Sequence, residues 1–376
     1  MDPLPSPPPQ TVEIDSLADF DTQRVRTDRL FGWFVSSVDL TGRTAELLTA
    51  DPRGAVFLGC PLSEEAEAHL RVGGALLFPR LPELPFDPYR GGLYAARELF
   101  DGVVAGDDYS TCTDGRVYGW TRALPHPPHV SATLAMSLHD HAVADALDDA
   151  LSGVAPALTV GVMGGHAAER GTADYAAAAQ LGLALAASGR TVLTGGGPGA
   201  MEAANLGASL VNVPDAIDDV IARLATAPTF KAPVGIDAWA RVALAVVAEL
   251  GDRLGPSIGI PTWFYGHEPP NVFATWIAKY FSNALREDTL LARCRGGIVY
   301  LPGRAGTVTE IFQATTANYY ATQPDQVAPM VLVGRGFWTS TLPAWPLLQT
   351  LAAGRPMGEQ LFLVDSVPDA LAVIAP

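Results

Sequence analysis

The sequence predicts an α/β fold, a doubly wound, mostly parallel sheet with a smaller N-terminal α/β domain. Three observations lead there. Apolar runs such as Ala55-Val56-Phe57-Leu58 and Met330-Val331-Leu332-Val333 lack polar alternation, as strands covered on both faces do. Stretches with helical spacing lie between such runs, the alternation of a parallel sheet. Three of the runs end in a glycine-rich turn that opens a helix, at residues 161–165, 195–199 and 302–306.

Residues 1–12 hold five prolines, which predicts a flexible tail, expected to reach residue 20. The α/β pattern starts near residue 28. Residues 30–35 read as a strand, 41–48 as a short helix capped by Thr41, and 55–59 as a buried strand. A helix opens at Ser63, and residues 75–78 form a third strand. Residues 79–88 carry four prolines and must be loop. Residues 91–100 look helical, 101–129 read as a polar, turn-rich connection, and a long helix follows from about Val130 to Ser152. The boundary is expected near 150 or before that helix; taken at 150, it gives an N-terminal α/β domain of unknown role over 21–150 and a second domain over 151–376.

In the second domain, strands are expected at 158–163, 191–194, 257–260, 297–301, 330–333 and 361–364. Helices are expected at 172–188, from Ala200, over 271–294, from Thr307, at 343–353 and at 367–374. Val272, Trp276, Ile277, Tyr280 and Phe281 share one face of the 271–294 segment. No internal repeat of solenoid period is read.

Composition narrows the function classes. Of 376 residues 48% are apolar, enough for a sizeable core, and 17% are charged, below the usual ~25%. Lys plus Arg total 24 and Asp plus Glu total 40, a formal net charge of −16. Such a surface repels phosphate backbones, so no nucleic-acid partner is expected. A small anionic ligand is still allowed, because a few local donors outweigh the global field. Lys231 and Lys279 are the only lysines, so Schiff-base chemistry has two candidates. Lys231 precedes Ala232-Pro233 in a loop and Lys279 sits on the expected 271–294 helix; neither setting suits pyridoxal phosphate. Cys60, Cys112 and Cys294 are dispersed and odd in number, which fits a reducing compartment. The acidic, proline-rich start is not a signal peptide, and no run reaches ~18 apolar residues. A cytoplasmic protein without membrane contact is expected.

In a parallel sheet the three glycine-rich turns lie on one edge, at the carboxyl ends of the strands. Helix N-termini there offer unpaired N–H groups and a positive dipole end, which favours phosphate. Each turn alone is equally well a tight connection; together they make a nucleotide-sized anion site. None has the G-x-G-x-x-G spacing of a dinucleotide fingerprint, and no G-x-x-x-x-G-K-S/T occurs, so the ligand is better imagined as a mononucleotide. The most specific stretch is Pro302-Gly303-Arg304-Ala305-Gly306-Thr307-Val308-Thr309-Glu310. Thr307-x-x-Glu310 has capping-box spacing, with Thr307 at N-cap. It also places a carboxylate one helical turn from a phosphate-type loop.

With Gly195-Gly196-Gly197-Pro198-Gly199-Ala200-Met201-Glu202 some hundred residues upstream, that stretch resembles the paired signatures of the LOG ("lonely guy") nucleotide phosphoribohydrolases, often labelled "lysine decarboxylase-like". Their second signature is P-G-G-x-G-T-x-x-E. The resemblance covers about residues 155–376. It implies a Rossmann-like fold, usually a homodimer, that hydrolyses the N-glycosidic bond of nucleoside 5′-monophosphates to free base and ribose 5-phosphate. It makes Glu310 catalytic, with Gly303, Gly306 and Thr307 on the 5′-phosphate. Gly164, Gly165, Gly195, Gly196, Gly197, Gly199 and Met201 would line the nucleotide pocket. Arg286 stands near the family's arginine, to bind phosphate or assist the departing base; a solvated helix-end arginine is the other reading. Arg304 replaces the second motif glycine, which either changes the loop or adds a phosphate donor. No metal or cofactor is called for.

The apolar content of 172–188 and 271–294 also suggests a homodimer. His126, His129, His139 and His141 read as solvated side chains rather than metal ligands. His267 and Glu268 fall in a turn that either is only a turn or borders the pocket. Against the nucleosidase stands a non-catalytic nucleotide sensor or carrier, which does not need Glu310, or a structural protein with a degenerate site.

Overall fold

The computed structural model describes residues 11–81, 83–264 and 268–375. The chain divides into two units, one built from Met1–Gly92 with Val130–Ala142, the other from Leu93–His129 with Val143–Pro376. Residues of the long helix Val130–Leu151 are shared between the two units.

The first unit is a parallel four-stranded sheet of β1 (Val12–Ile14), β2 (Trp33–Ser36), β3 (Val56–Leu58) and β4 (Leu76–Phe78), in that spatial order. β1 and the first half of the following helix, Leu17–Arg24, fall within the stretch expected to be tail. Paired residues are Val12 with Trp33, Phe34 with Val56 and Val56 with Leu76, separations of 21, 22 and 20 residues. The strand order never reverses in this unit. Gly32, Gly54 and Gly74 each take positive φ just before a strand. Ile14, Trp33, Val35 and Phe57 from the strands pack with Phe20, Leu47 and Leu70 from the helices. Ser63 caps its helix through the Ala66 N–H. Thr41 does not cap; its hydroxyl donates to Asp39, and a 3₁₀ turn precedes the helix Thr44–Leu48. His139 is fully buried beside Asp140, with its ring against the edge of Phe86, contrary to the solvated reading. His126, His129 and His141 are exposed.

The second unit carries the doubly wound sheet. Its strands are β5 (Thr159–Met163), β6 (Thr191–Thr194), β7 (Ile258–Gly259), β8 (Trp276–Ile277), β9 (Ile298–Tyr300), β10 (Met330–Val333) and β11 (Leu361–Val364). All are parallel, in the order β11-β10-β9-β5-β6-β7-β8. The chain winds outward from β5 to β8, then returns beside β5 with β9 and winds the other way. The reversal between β5 and β9 is the topological switch point, where a crevice opens beyond the carboxyl ends of the strands.

Two expectations fail in this unit. Residues 271–294 are not one helix: β8 occupies 276–277 and the helix is Asn283–Arg293. Asn271 causes the difference. Its Oδ1 accepts from the N–H groups of Phe273 and Ala274, a turn that feeds the chain into pairing with β7. The connection at 101–129 contains the helix Thr113–Ala123. Its sequence is polar, but it buries Asp114, which accepts from Lys279 Nζ at 2.6 Å, Trp263 Nε1 at 2.8 Å and the Tyr109 hydroxyl. Lys279 is thus a buried ion-pair partner with no free amine. The apolar helix Ala173–Ala187 is covered within the unit, burying Tyr175, Ala178, Leu181 and Leu185. Its apolarity therefore has a partner without a dimer. Among the described residues no helix is long and apolar enough to cross a membrane.

Candidate functional site

A cavity of about 540 Å³ occupies the switch point, bordered by the loops after β5, β6 and β9. Backbone hydrogen bonds join the loops: Gly165 N–H donates to the Pro302 carbonyl (3.1 Å), and Ala200 N–H to the Gly165 carbonyl (3.2 Å). A buried polar network fixes the 195–199 loop. Thr194 Oγ1 donates to Asn205 Oδ1 at 2.6 Å and accepts from Gly196 N–H at 2.9 Å. Asn271 Nδ2 donates to Asn205 Oδ1 at 3.0 Å and to the Gly197 carbonyl at 3.3 Å. Below these loops, Arg170 holds Glu202 in a fully buried ion pair and donates to the carbonyls of Ala227 (3.2 Å) and Trp239 (2.8 Å).

Gly164, Gly165, Gly195, Gly197, Met201, Arg286, Gly303, Arg304, Gly306, Thr307 and Glu310 all line the cavity. Gly196 and Gly199 do not; both have positive φ and shape the turn behind it. Thr307 is not a helix cap. The helix is Ala305–Tyr320, with Arg304 at N-cap and no side-chain cap, so Thr307 is its third residue and Glu310 its sixth. The capping-box expectation is overturned. Thr307 Oγ1 instead packs over Gly303, where a Cβ would lie 2.1 Å from it. The first N–H groups of the helix, on Ala305, Gly306 and Thr307, have no intrahelical partner by geometry. Gly306 has open space where a Cβ would stand, and Arg304 is exposed with φ −118°, a conformation that does not call for glycine.

Glu310 and Arg286 meet on the cavity floor. Arg286 Nη1 stands 3.3 Å from Glu310 Oε1, and both residues are buried. Arg286 Nε is buried without a hydrogen-bond partner, so this arginine is not the solvated helix-end residue of the alternative reading. Burial pushes the Glu310 carboxyl up to about 7; Arg286 and His166 pull it down and Glu287 pushes it further up. Gly195 lies against the pair. A Cβ there would stand 3.6 Å from Arg286 Nη1, 3.7 Å from Glu310 Oε1 and 2.8 Å from Met201 Sδ.

The lining also includes His166, Lys231, Pro261, Thr262, Glu268 and Phe337. Glu268 lines the cavity, and His267 lies outside the described residues. His166 follows Gly164-Gly165 directly, and that position at the sheet's carboxyl edge was a signal for it. Lys231 comes from a loop and Phe337 from a π-helical turn, Phe337–Thr341, which sequence spacing does not bring together.

Residues 157–212 match the model of the SLOG cluster4 family. The SLOG superfamily includes LOG-like Rossmann proteins, so the resemblance read from the motifs holds over β5, β6 and the 195–199 loop. Two solved structures are similar. The molybdenum cofactor binding protein from the phototrophic bacterium Rippkaea orientalis is 19% identical, with a TM-score of 0.34 over 57% of this chain and 94% of that one. The Moco carrier protein from Chlamydomonas reinhardtii is 20% identical, with a TM-score of 0.35 over 57% and 94%. No curated protein matches the chain in sequence.

Proposed function

We propose that the chain hydrolyses the N-glycosidic bond of nucleoside 5′-monophosphates, releasing free base and ribose 5-phosphate. The observation that carries this reading is Glu310: a carboxyl on the floor of a nucleotide-sized cavity, freed from any capping role and brought near neutral by burial. A carboxyl poised there suits a group that handles a proton at physiological pH. Breaking the C1′–N bond leaves an oxocarbenium-like sugar, which an adjacent carboxylate stabilises while it orients the attacking water. Arg286 keeps Glu310 in place. The N–H groups of Ala305, Gly306 and Thr307, with the Arg304 guanidinium, hold the phosphate. Phosphate binding remote from the reacting bond is then used to orient the sugar.

This reading makes cleavage depend on the phosphate. AMP should be cleaved more efficiently than adenosine by roughly 10²–10⁴ in kcat/KM, since at least two charge-assisted hydrogen bonds are lost. Measuring both substrates by release of reducing sugar checks it; equal rates would sink the phosphate assignment. A sensor or carrier without chemistry would bind AMP and release no sugar.

Gly195→Ala gives a second check. The added methyl is accommodated by Met201, a flexible side chain, so the fold should persist. The methyl then stands in ordinary contact with the Arg286–Glu310 pair and shifts Met201 of the cavity wall, and a sugar misplaced by that crowding turns over up to about 10²-fold more slowly. Steady-state kinetics with a melting curve separates the two effects; unchanged kcat would place the reacting sugar elsewhere.

A further inference from the structure

Hydrolysis of an N-glycosidic bond has two demands, and Glu310 meets one. The sugar must be stabilised and attacked by water. The base must also leave, and a purine or pyrimidine leaves poorly as an anion, so a proton has to reach its ring nitrogen. Among the described groups lining the cavity, Arg286 and Arg304 do not release protons. Lys231 is exposed.

His166 is placed differently. Its Nδ1 lies 3.1 Å from Glu268 Oε1, an ion-pair contact that places the carboxylate beside that edge of the ring. The other ring nitrogen, Nε2, lies beside Gly197, 3.2 Å from where a Cβ on that residue would stand. The glycine thus leaves room for the ring's edge. His166 and Glu268 are 31% and 35% exposed at the side chain, which lets the pair exchange protons with solvent. His166 is also near enough to Glu310 for its charge to act on that carboxyl.

We infer that His166, oriented by Glu268, is the general acid that protonates the departing base. The inference rests on the nucleosidase reading. In the step, the C1′–N bond breaks and its electron pair goes to the base nitrogen, which takes the Nε2 proton of doubly protonated His166. Water forms the new C1′–O bond and gives one proton to the Glu310 carboxylate. Glu310 then releases that proton to solvent and His166 regains one, so the sum is nucleotide plus water to base plus ribose 5-phosphate. A carboxyl acting on the sugar and an imidazole acting on the base divide the two roles between different environments.

The test compares leaving groups. For the His166→Asn variant, AMP turnover should fall by about 10²–10³-fold. Turnover of p-nitrophenyl riboside 5-phosphate, whose leaving group departs as a stable anion, should stay near wild type. Glu268→Gln should show the same pattern with a smaller loss, because it only positions the ring. Glu310→Gln should lose both substrates. A melting curve for each variant controls for folding. If His166→Asn lowers both substrates equally, or neither, the acid role is overturned and the nucleosidase reading survives. If the wild type cleaves neither substrate, the nucleosidase reading itself fails and the acid role fails with it.

Discussion

Glu310→Gln should lower kcat on nucleoside monophosphates by roughly 10²–10⁴ while nucleotide Kd changes little. Glutamine is nearly isosteric, so shape and phosphate contacts persist; what disappears is the charge facing the oxocarbenium and the acceptor for the water proton. Two opposed effects leave stability close to wild type at neutral pH. The variant no longer holds a buried carboxylate, but Arg286 loses its ion-pair partner. The pH dependence is more specific. Glu310 is faced by Arg286, Glu287 and His166, with Tyr300 and Cys294 also near enough to feel its charge. Its folded-state pKa is raised from 4.5 to about 7. A raised carboxyl contributes stability that is fully present below about 4.5 and lost as pH rises through about 7. Wild-type melting temperature should therefore fall relative to the variant between about pH 5 and pH 8. Parallel melting profiles of the two proteins check this. Equal turnover in the two proteins would mean that the chemistry lies away from Glu310.

Arg170→Met has the largest expected effect on stability. Arg170 and Glu202 are each 1% exposed at the side chain, and the guanidinium also lies 4.4 Å from the Trp239 ring centroid. Removing the arginine strands a carboxylate that burial already holds above its ordinary pKa, and leaves two carbonyls without their donor. The cost should be about 3–5 kcal/mol, or roughly 10 °C in Tm. Replacing both partners, Arg170→Met with Glu202→Leu, should recover much of it, because no charge is then stranded. Arg170 lies in the loop after β5 and Glu202 in the helix that follows the loop after β6, so the single variant should also loosen the cavity wall. Calorimetry on the single and double variants tests the account; a single-variant loss below about 1 kcal/mol would show that the pair contributes little.

The sequence made the second unit legible because its signals are local. Apolar runs mark β5, β6, β9, β10 and β11, and glycines mark the turns that must approach a ligand. Those signals also brought Gly195, Gly303, Thr307 and Glu310 to one edge. Spacing alone could not decide between a cap and a cavity for Glu310, since Thr-x-x-Glu fits both; the helix starting at Ala305 decides it. Burial of Arg286 and the reach of Lys231 and Glu268 depend on tertiary approach. The failures have equally definite causes. Asn271 redirects an apolar run from helix to strand through two side-chain hydrogen bonds. The helix Thr113–Ala123 looks like a loop because its main anchor, Asp114, is polar and is satisfied by Lys279, Trp263 and Tyr109.

The nucleosidase assignment is tested most directly by incubating the purified wild-type protein with AMP, GMP, CMP, UMP and IMP in turn and identifying the products. The account predicts that at least one yields free base and ribose 5-phosphate in equal amounts. Tight binding of these nucleotides with no base and no ribose 5-phosphate formed from any of them would contradict it.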